Sequence, residues 1–345
     1  MIKIELSREK REKIEKLFLE ELVDGYPPET QGKLIDWLDT DACRSLLQTD
    51  NAELYQYLYD GAGKPDIRNI KALLLANRAE MEKFIVRFGT YPGRTRRKKQ
   101  PLTPPLPPRP RTQAKELLNT AFCFTKFSNR DVVNELLWEM DIPVCPYCNR
   151  LYITALKKKK VRPQLDHFFP KLRYPYLALC LYNLIPSCGV CNQAKSDLDP
   201  VNDTPILYPY EEEFGEEIVF ALDMKDGADF VQKMRGDSSE IQVSISSPHP
   251  ISDIGRKARQ QNERLHLTEL YNEHRDCIAD VLRAYYIYTP DRIAELLQCF
   301  PDIFSTPDEV RSLIFMSCID RDQWGKRPLA KLTYDICSEL DRLIS

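Results

Sequence analysis

What the sequence lacks narrows the class of protein. No apolar run approaches the roughly 18 residues of a membrane-spanning helix, and the N-terminal MIKIELSREKREK has no apolar stretch of the kind found in signal peptides. No segment recurs with a fixed period. We therefore expect a globular, cytoplasmic protein with no membrane partner.

Two stretches of a chain whose formal net charge is −3 have no acidic residue or only one. Ten basic residues and no acidic one lie between Lys83 and Lys115, and nine basic residues accompany a single acidic residue, Asp166, between Ile142 and Ser196. The first stretch is rich in proline and has the composition of a solvated linker. We interpret the second stretch as basic surface around a catalytic site, because a polyanionic substrate requires positive charge there.

The eleven cysteines do not indicate a disulfide framework, since their number is odd and no export signal is visible. Four of them form two C-x-x-C pairs, Cys145 with Cys148 and Cys188 with Cys191. Four thiolates suit a tetrahedral structural Zn²⁺ site. Because 39 residues separate Cys148 from Cys188, more than in a compact zinc finger, we expect the metal to hold both ends of a functional insert.

Helical periodicity dominates the rest of the chain. Residues 1–90 are predicted to form an N-terminal helical domain, and residues 91–111 a proline-rich basic linker. Residues 112–215 contain the two cysteine pairs, and residues 216–345 are predicted to form a β segment followed by a C-terminal helical region.

The insert between the cysteine pairs carries the residues that suggest chemistry. RLYITAL and KVRPQLD are predicted strands of a hairpin with KKKK at its tip, and CNQAKSD can begin a helix. Asp166 and His167 end the second predicted strand, and Asn183 and Asn192 follow. A histidine that takes a proton from water, oxygen ligands for one hard cation and surrounding positive charge are what metal-assisted phosphodiester cleavage requires.

The stretch LDHFFPKLRYPYLALCLYNLIPSCGVCNQAKSD resembles the HNH endonucleases, whose ββα-metal active site consists of two strands and a helix. The resemblance implies that His167 is the general base and that Asp166 and Asn192 bind one catalytic divalent cation, Mg²⁺ or another. It also implies that Asn183 fixes the loop and orients His167. Asn192 stands where the family often has His, which suits a metal that prefers oxygen ligands.

The fold class that follows is mainly α and multi-domain, with a small zinc-bound ββα-metal (HNH) nuclease core and a short β segment. From about residue 140 to 285 the chain is most similar to the nuclease subunits of Septu-type and retron-associated anti-phage systems, which work beside a partner ATPase. An effector that cleaves DNA or RNA is therefore expected. Its predicted nucleic-acid contacts are Lys157, Lys158, Lys159, Lys160, Lys171, Arg173 and Lys195.

Two other classes of function stay open at this stage. A non-catalytic zinc-knuckle protein that binds nucleic acid or acts as a scaffold would use the same cysteines and lysines without cleavage. A thiol redox protein would use one C-x-x-C pair, although such a motif is expected beside a βαβ unit and two pairs favour metal binding.

Overall fold

The computed structural model describes residues 1–24, 34–91, 113–159, 161–223, 241–317 and 319–344. These residues are mainly helical, as predicted, and contain four short strands. The predicted linker 91–111, apart from its first residue, and Lys160 lie outside the described residues. None of the described helices is long and apolar enough to cross a membrane.

The described α-helices lie mainly before residue 141 and after residue 252, and the four strands and one α-helix lie between them. The α-helices are α1 (Arg8–Leu19), α2 (Leu34–Leu38), α3 (Asp41–Asp50), α4 (Ala52–Leu58), α5 (Ile67–Leu74), α6 (Arg78–Phe88), α7 (Gln113–Ala121), α8 (Phe124–Ser128), α9 (Asp131–Met140), α10 (Gly189–Lys195), α11 (Asp253–Leu265), α12 (Leu267–Asn272), α13 (Arg275–Ile287), α14 (Pro290–Cys299), α15 (Pro307–Ile314) and α16 (Ala330–Ile344). The strands are β1 (Gln164–His167), β2 (Leu184–Ser187), β3 (Val219–Leu222) and β4 (Val243–Ser246).

Local sequence sets several helix ends in the N-terminal region. Ser7 caps α1 by accepting a hydrogen bond from the backbone nitrogen of Lys10 at 3.2 Å. Asn77 and Glu80 form a capping box at the start of α6. Helix α6 ends at Gly89, whose φ of 71° favours glycine.

The central β unit differs from the predicted hairpin. RLYITAL contributes only an isolated bridge from Tyr152 to Val144, and Lys157 and Lys158 form a turn. The partner of β1 is instead β2, which is antiparallel to it, with Gln164 opposite Ser187 and His167 opposite Leu184. Helix α10 follows β2 directly and packs against β1. The order strand, strand, helix is therefore present, but its two strands are distant in sequence.

Residues between the two strands form loops and two short 3-10 helices, Pro175–Leu177 and Leu181–Asn183. The prolines at 170 and 175 account for this, because proline disfavours the helical conformation in the residue before it. The predicted β segment is confirmed as β3 and β4, which pair in antiparallel fashion.

Most of the buried hydrophobic side chains in the described residues belong to one cluster that extends from Met1 to Leu340. Helix α1 packs on α9, and α16 packs on β3. The backbone nitrogen of Ile2 donates to the oxygen of Pro146 at 2.9 Å, which ties the N-terminal segment to the first cysteine pair. The predicted regions thus share a core, and the domain boundaries at 90, 111 and 215 stay a prediction.

Candidate metal and catalytic centre

Four cysteine thiols meet in the interior, which confirms the predicted cluster. The Sγ atoms of Cys145, Cys148, Cys188 and Cys191 lie within 4.8 Å of one another, and all four side chains are buried. Because Zn–S bonds are about 2.3 Å long, tetrahedral thiolates lie roughly 3.8 Å apart. The donor set and its spacing therefore fit a structural metal such as zinc.

Backbone donors surround the sulfur atoms. The nitrogen of Cys188 donates to Sγ of Cys145 at 3.4 Å, and the nitrogen of Cys191 donates to Sγ of Cys188 at 3.4 Å where α10 begins. Burial raises the pKa of the Cys145 thiol, whereas hydrogen bonding with the neighbouring thiols lowers that of Cys188. A bound metal would stabilise all four sulfurs as thiolates.

A surface cleft of about 500 Å³ brings together four of the predicted site residues. Asp166 and His167 reach it from the end of β1, Asn192 from α10 and Lys171 from the loop after β1. Its other lining residues are Phe124, Leu165, Pro170, Leu172, Ser196 and Asp197. Asn183 is not part of the lining.

The imidazole of His167 is held in one orientation and is neutral. Its Nε2 lies 3.0 Å from the backbone oxygen of Ala178, which can only accept, so Nε2 carries the proton. The ring packs edge-on against Phe124 with centroids 4.4 Å apart. Burial, together with the nearby cations Lys171 and Lys195, lowers the pKa of His167 to about 3. Nδ1 therefore keeps its lone pair and can accept a proton.

Asp166 is bonded to two buried side chains. The hydroxyl of Tyr147 donates to Oδ2 of Asp166 at 2.7 Å. Nζ of Lys195 lies 3.1 Å from Oδ2 and 3.3 Å from Oδ1, and it also donates to the backbone oxygen of His167 at 2.6 Å. Since a carboxylate offers about four lone-pair positions, Oδ1 retains room for one further ligand.

Asp166 and Asn192 can offer oxygen atoms to one cation in the cleft. Nδ2 of Asn192 donates to Oε1 of Gln164 at 2.6 Å, which leaves the amide oxygen as the ligand atom. One carboxylate oxygen and one amide oxygen fit a hard cation such as Mg²⁺, which commonly keeps several water ligands. The ammonium group of Lys195 opposes a second cation and would weaken its binding.

Asn183 lies behind the cleft and is completely buried. Its Oδ1 accepts from the nitrogen of Phe169 at 2.7 Å, and its Nδ2 donates to the oxygens of Phe169 and Leu177 at 3.1 and 3.0 Å. Its backbone oxygen accepts from Phe168 at 2.9 Å. These bonds fix the backbone of Phe169, two residues after His167, and of Leu177, which precedes Ala178, whose carbonyl binds His167.

Three of the lysines predicted to bind nucleic acid face outward or line the cleft. The ammonium group of Lys171 lies 4.5 Å from the centroid of the Phe124 ring, at the wall of the cleft. Lys158 and Lys159 are exposed on the turn before β1. Lys160 belongs to the same run but lies outside the described residues.

The other three predicted cations have internal partners. Lys195 is fully buried against Asp166, so the prediction that it contacts a phosphate is wrong. Arg173 pairs with two aspartates at 3.1 and 3.0 Å, and Lys157 pairs with two glutamates. Apart from Asp166, these acidic partners lie outside the segment 142–196, which is why the basic run in the sequence overstated the free positive charge.

Sequence reasoning missed Tyr147 and Phe124. Tyr147 stands between two cysteines of one C-x-x-C pair, where a polar side chain was a visible signal, but its contact with Asp166 depends on the fold. Phe124 reaches His167 from α8, and no local pattern indicated that contact.

A second group, His274, Asp276 and Cys277, also has ligand atoms within 4.8 Å of one another. Two features disfavour a cation there. Nη1 of Arg150 lies 3.0 Å from Nε2 of His274. The group also stands at the N-terminus of α13, whose partial charge is positive.

A comparison with curated proteins finds a partial relative. Over 129 residues, or 37% of this chain, it is 29% identical to the Septu protein PtuB of Bacillus thuringiensis. The match covers 48% of that protein, so the chain spans about half the length of its relative. No protein family and no solved structure matches the chain.

Proposed function

We propose that the chain is a metal-dependent HNH endonuclease that cleaves phosphodiester bonds in nucleic acid. The observation that carries the proposal is the neutral imidazole of His167, with Nε2 bound to a carbonyl and Nδ1 available, in a cleft shared with Asp166 and Asn192. The order strand, strand, helix, with α10 beginning at the second cysteine pair, supports it.

The residues divide the chemistry between them. His167 accepts a proton from the attacking water at Nδ1, and its Nε2–H remains bonded to the carbonyl of Ala178. Asp166 and Asn192 would hold a divalent cation, which when bound supplies charge stabilisation at the scissile phosphate and the leaving 3′ oxygen. Lys171 offers positive charge to a phosphate at the wall of the cleft. Cleavage is expected to leave a 5′-phosphate and a 3′-hydroxyl.

We further propose a biological setting in anti-phage defence, with a partner ATPase. The partial similarity to Septu protein PtuB supports this setting. The two exposed lysines before β1, Lys158 and Lys159, are available as contacts for DNA or RNA.

The test compares cleavage of DNA and RNA by the purified protein, with and without the partner ATPase. Cleavage should require Mg²⁺, disappear in EDTA and return when Mg²⁺ is added back. His167→Ala should abolish it and leave the fold intact. His249→Ala, at an exposed histidine outside the cleft, is the matched control and should cleave normally.

Full cleavage by His167→Ala would refute the assignment of the base. If no condition gives metal-dependent cleavage, or if variants at Asp166, His167 and Asn192 all function normally, the alternative applies. The protein would then be a non-catalytic zinc-knuckle protein that binds nucleic acid or acts as a scaffold.

A further inference from the structure

The carboxylate of Asp166 connects the cleft to both cysteine pairs. Tyr147 lies between Cys145 and Cys148 in the first pair, and its hydroxyl donates to Oδ2 of Asp166 at 2.7 Å. Lys195 lies about one helical turn after Cys191 of the second pair, at the other end of α10, and its ammonium group contacts the same carboxylate. Each cysteine pair therefore supplies one partner of Asp166.

The two side chains that hold Asp166 are shielded from solvent. Tyr147 and Lys195 are completely buried, and Asp166 is 2% exposed. The buried Tyr147 hydroxyl donates to Oδ2 of Asp166 at 2.7 Å. Its bond to Oδ2 fixes the orientation of the carboxylate, which leaves Oδ1 directed to a further ligand.

We propose that Tyr147 is a positioning residue that couples the four-cysteine cluster to the ion-binding carboxylate of the cleft. This inference rests on the proposed function, because it requires Asp166 to bind a divalent cation. A metal in the cluster fixes the first cysteine pair, the pair fixes the tyrosine hydroxyl, and the hydroxyl holds Asp166 in the orientation that binds the ion.

The same chain contains a matched arrangement that does not face the cleft. The hydroxyl of Tyr174 donates to Oδ2 of Asp199 at 2.7 Å, and Arg173 lies 3.1 Å from that oxygen. Asp199 is completely buried and is absent from the cleft lining. Tyr174→Phe therefore removes a chemically equivalent bond without touching the proposed ion site.

The experiment measures Mn²⁺ affinity by calorimetry in zinc-loaded wild type, Tyr147→Phe and Tyr174→Phe. Loss of a hydrogen bond to a ligating carboxylate lowers metal affinity by about 10-fold to 100-fold, and we expect about 10-fold for Tyr147→Phe. The Mn²⁺ concentration for half-maximal cleavage should rise by the same factor, and saturating Mn²⁺ should restore the rate. Zinc content should be unchanged, and Tyr174→Phe should behave like wild type.

A second measurement needs only the wild-type protein. Coupling between two sites is reciprocal, so saturating the cleft with Mg²⁺ should raise the zinc affinity of the cluster, measured with a zinc-selective chromophoric chelator. Unchanged zinc affinity in Mg²⁺, or Mn²⁺ affinity of Tyr147→Phe within about twofold of wild type, would overturn the coupling. Wild-type cleavage would still support the proposed function in either case. A wild-type protein that neither binds Mn²⁺ nor cleaves would overturn both proposals.

Discussion

Asn183 offers a quantitative test of how the cleft is supported. Replacing it with Ala removes three side-chain hydrogen bonds, all to backbone groups of Phe169 and Leu177, from a completely buried position. A typical buried hydrogen bond contributes about 1 kcal/mol net, so the free energy of unfolding should fall by about 3 kcal/mol. The loss would be larger if the abandoned backbone groups find no new partner.

Asn183→Asp is a sharper variant because it keeps the size of the side chain. An ionised carboxylate can still accept from the nitrogen of Phe169, but it cannot donate to the two carbonyl oxygens that Nδ2 now reaches. It also places a charge at a site with no exposure. We expect Asp to destabilise the protein at least as much as Ala does.

Denaturant unfolding of the zinc-loaded protein measures both variants. Asn192→Ala is the matched control, since its side chain is partly exposed and has a single bond, to Gln164. It should change the free energy of unfolding by less than about 1 kcal/mol, while abolishing cleavage. If Asn183→Ala falls within about 0.5 kcal/mol of wild type, or if the two asparagines have equal effects on stability, the structural role of Asn183 is refuted.

Three further predictions concern the cysteine cluster, the C-terminal helix and the cleft wall. Cys191→Ser should lower the zinc content and abolish cooperative unfolding, and a retained cooperative transition would contradict a structural metal site. Nζ of Lys331 lies 2.6 Å from Oδ1 of Asp335, and Lys331→Met leaves that buried carboxylate without its ion-pair partner. The free energy of unfolding should fall by about 3–5 kcal/mol. Wild-type stability in urea would refute this prediction. Lys171→Ala should weaken nucleic-acid binding and reduce the slope of log affinity against log salt by about 1. Lys16→Ala, at an exposed lysine of α1, is the control and should leave both the affinity and the slope unchanged. Equal slopes for the two variants would exclude a phosphate contact at Lys171.

Local patterns were sufficient for several parts of the structure. The helical character of most of the chain, the Ser7 cap and the end of α6 at Gly89 depend on neighbouring residues only. The cysteine cluster was predictable because C-x-x-C spacing presents two sulfurs from one turn, and two such pairs are typical of one four-cysteine metal site. The β segment was predictable because β3 and β4 are each visible as a short strand between turn residues.

The pairing of β1 was not predictable in the same way. RLYITAL has β character and lies close to β1 in sequence. In the structure, however, β1 pairs with β2, in which all four residues are buried. Burial of Leu184 and Ile185 in the core decides between the two candidates, and a short-range pattern contains no information about burial against distant segments.

The sequence by itself determined which residues could do chemistry: two cysteine pairs, an Asp-His dipeptide and two asparagines in a basic segment. Only the tertiary structure decided what each is bonded to. It gathered Asp166, His167 and Asn192 at one cleft and turned Lys195 inward as the partner of Asp166. The physical reason is that charge and hydrogen-bonding capacity are local properties of a residue, whereas burial and partner choice depend on segments far apart in the chain.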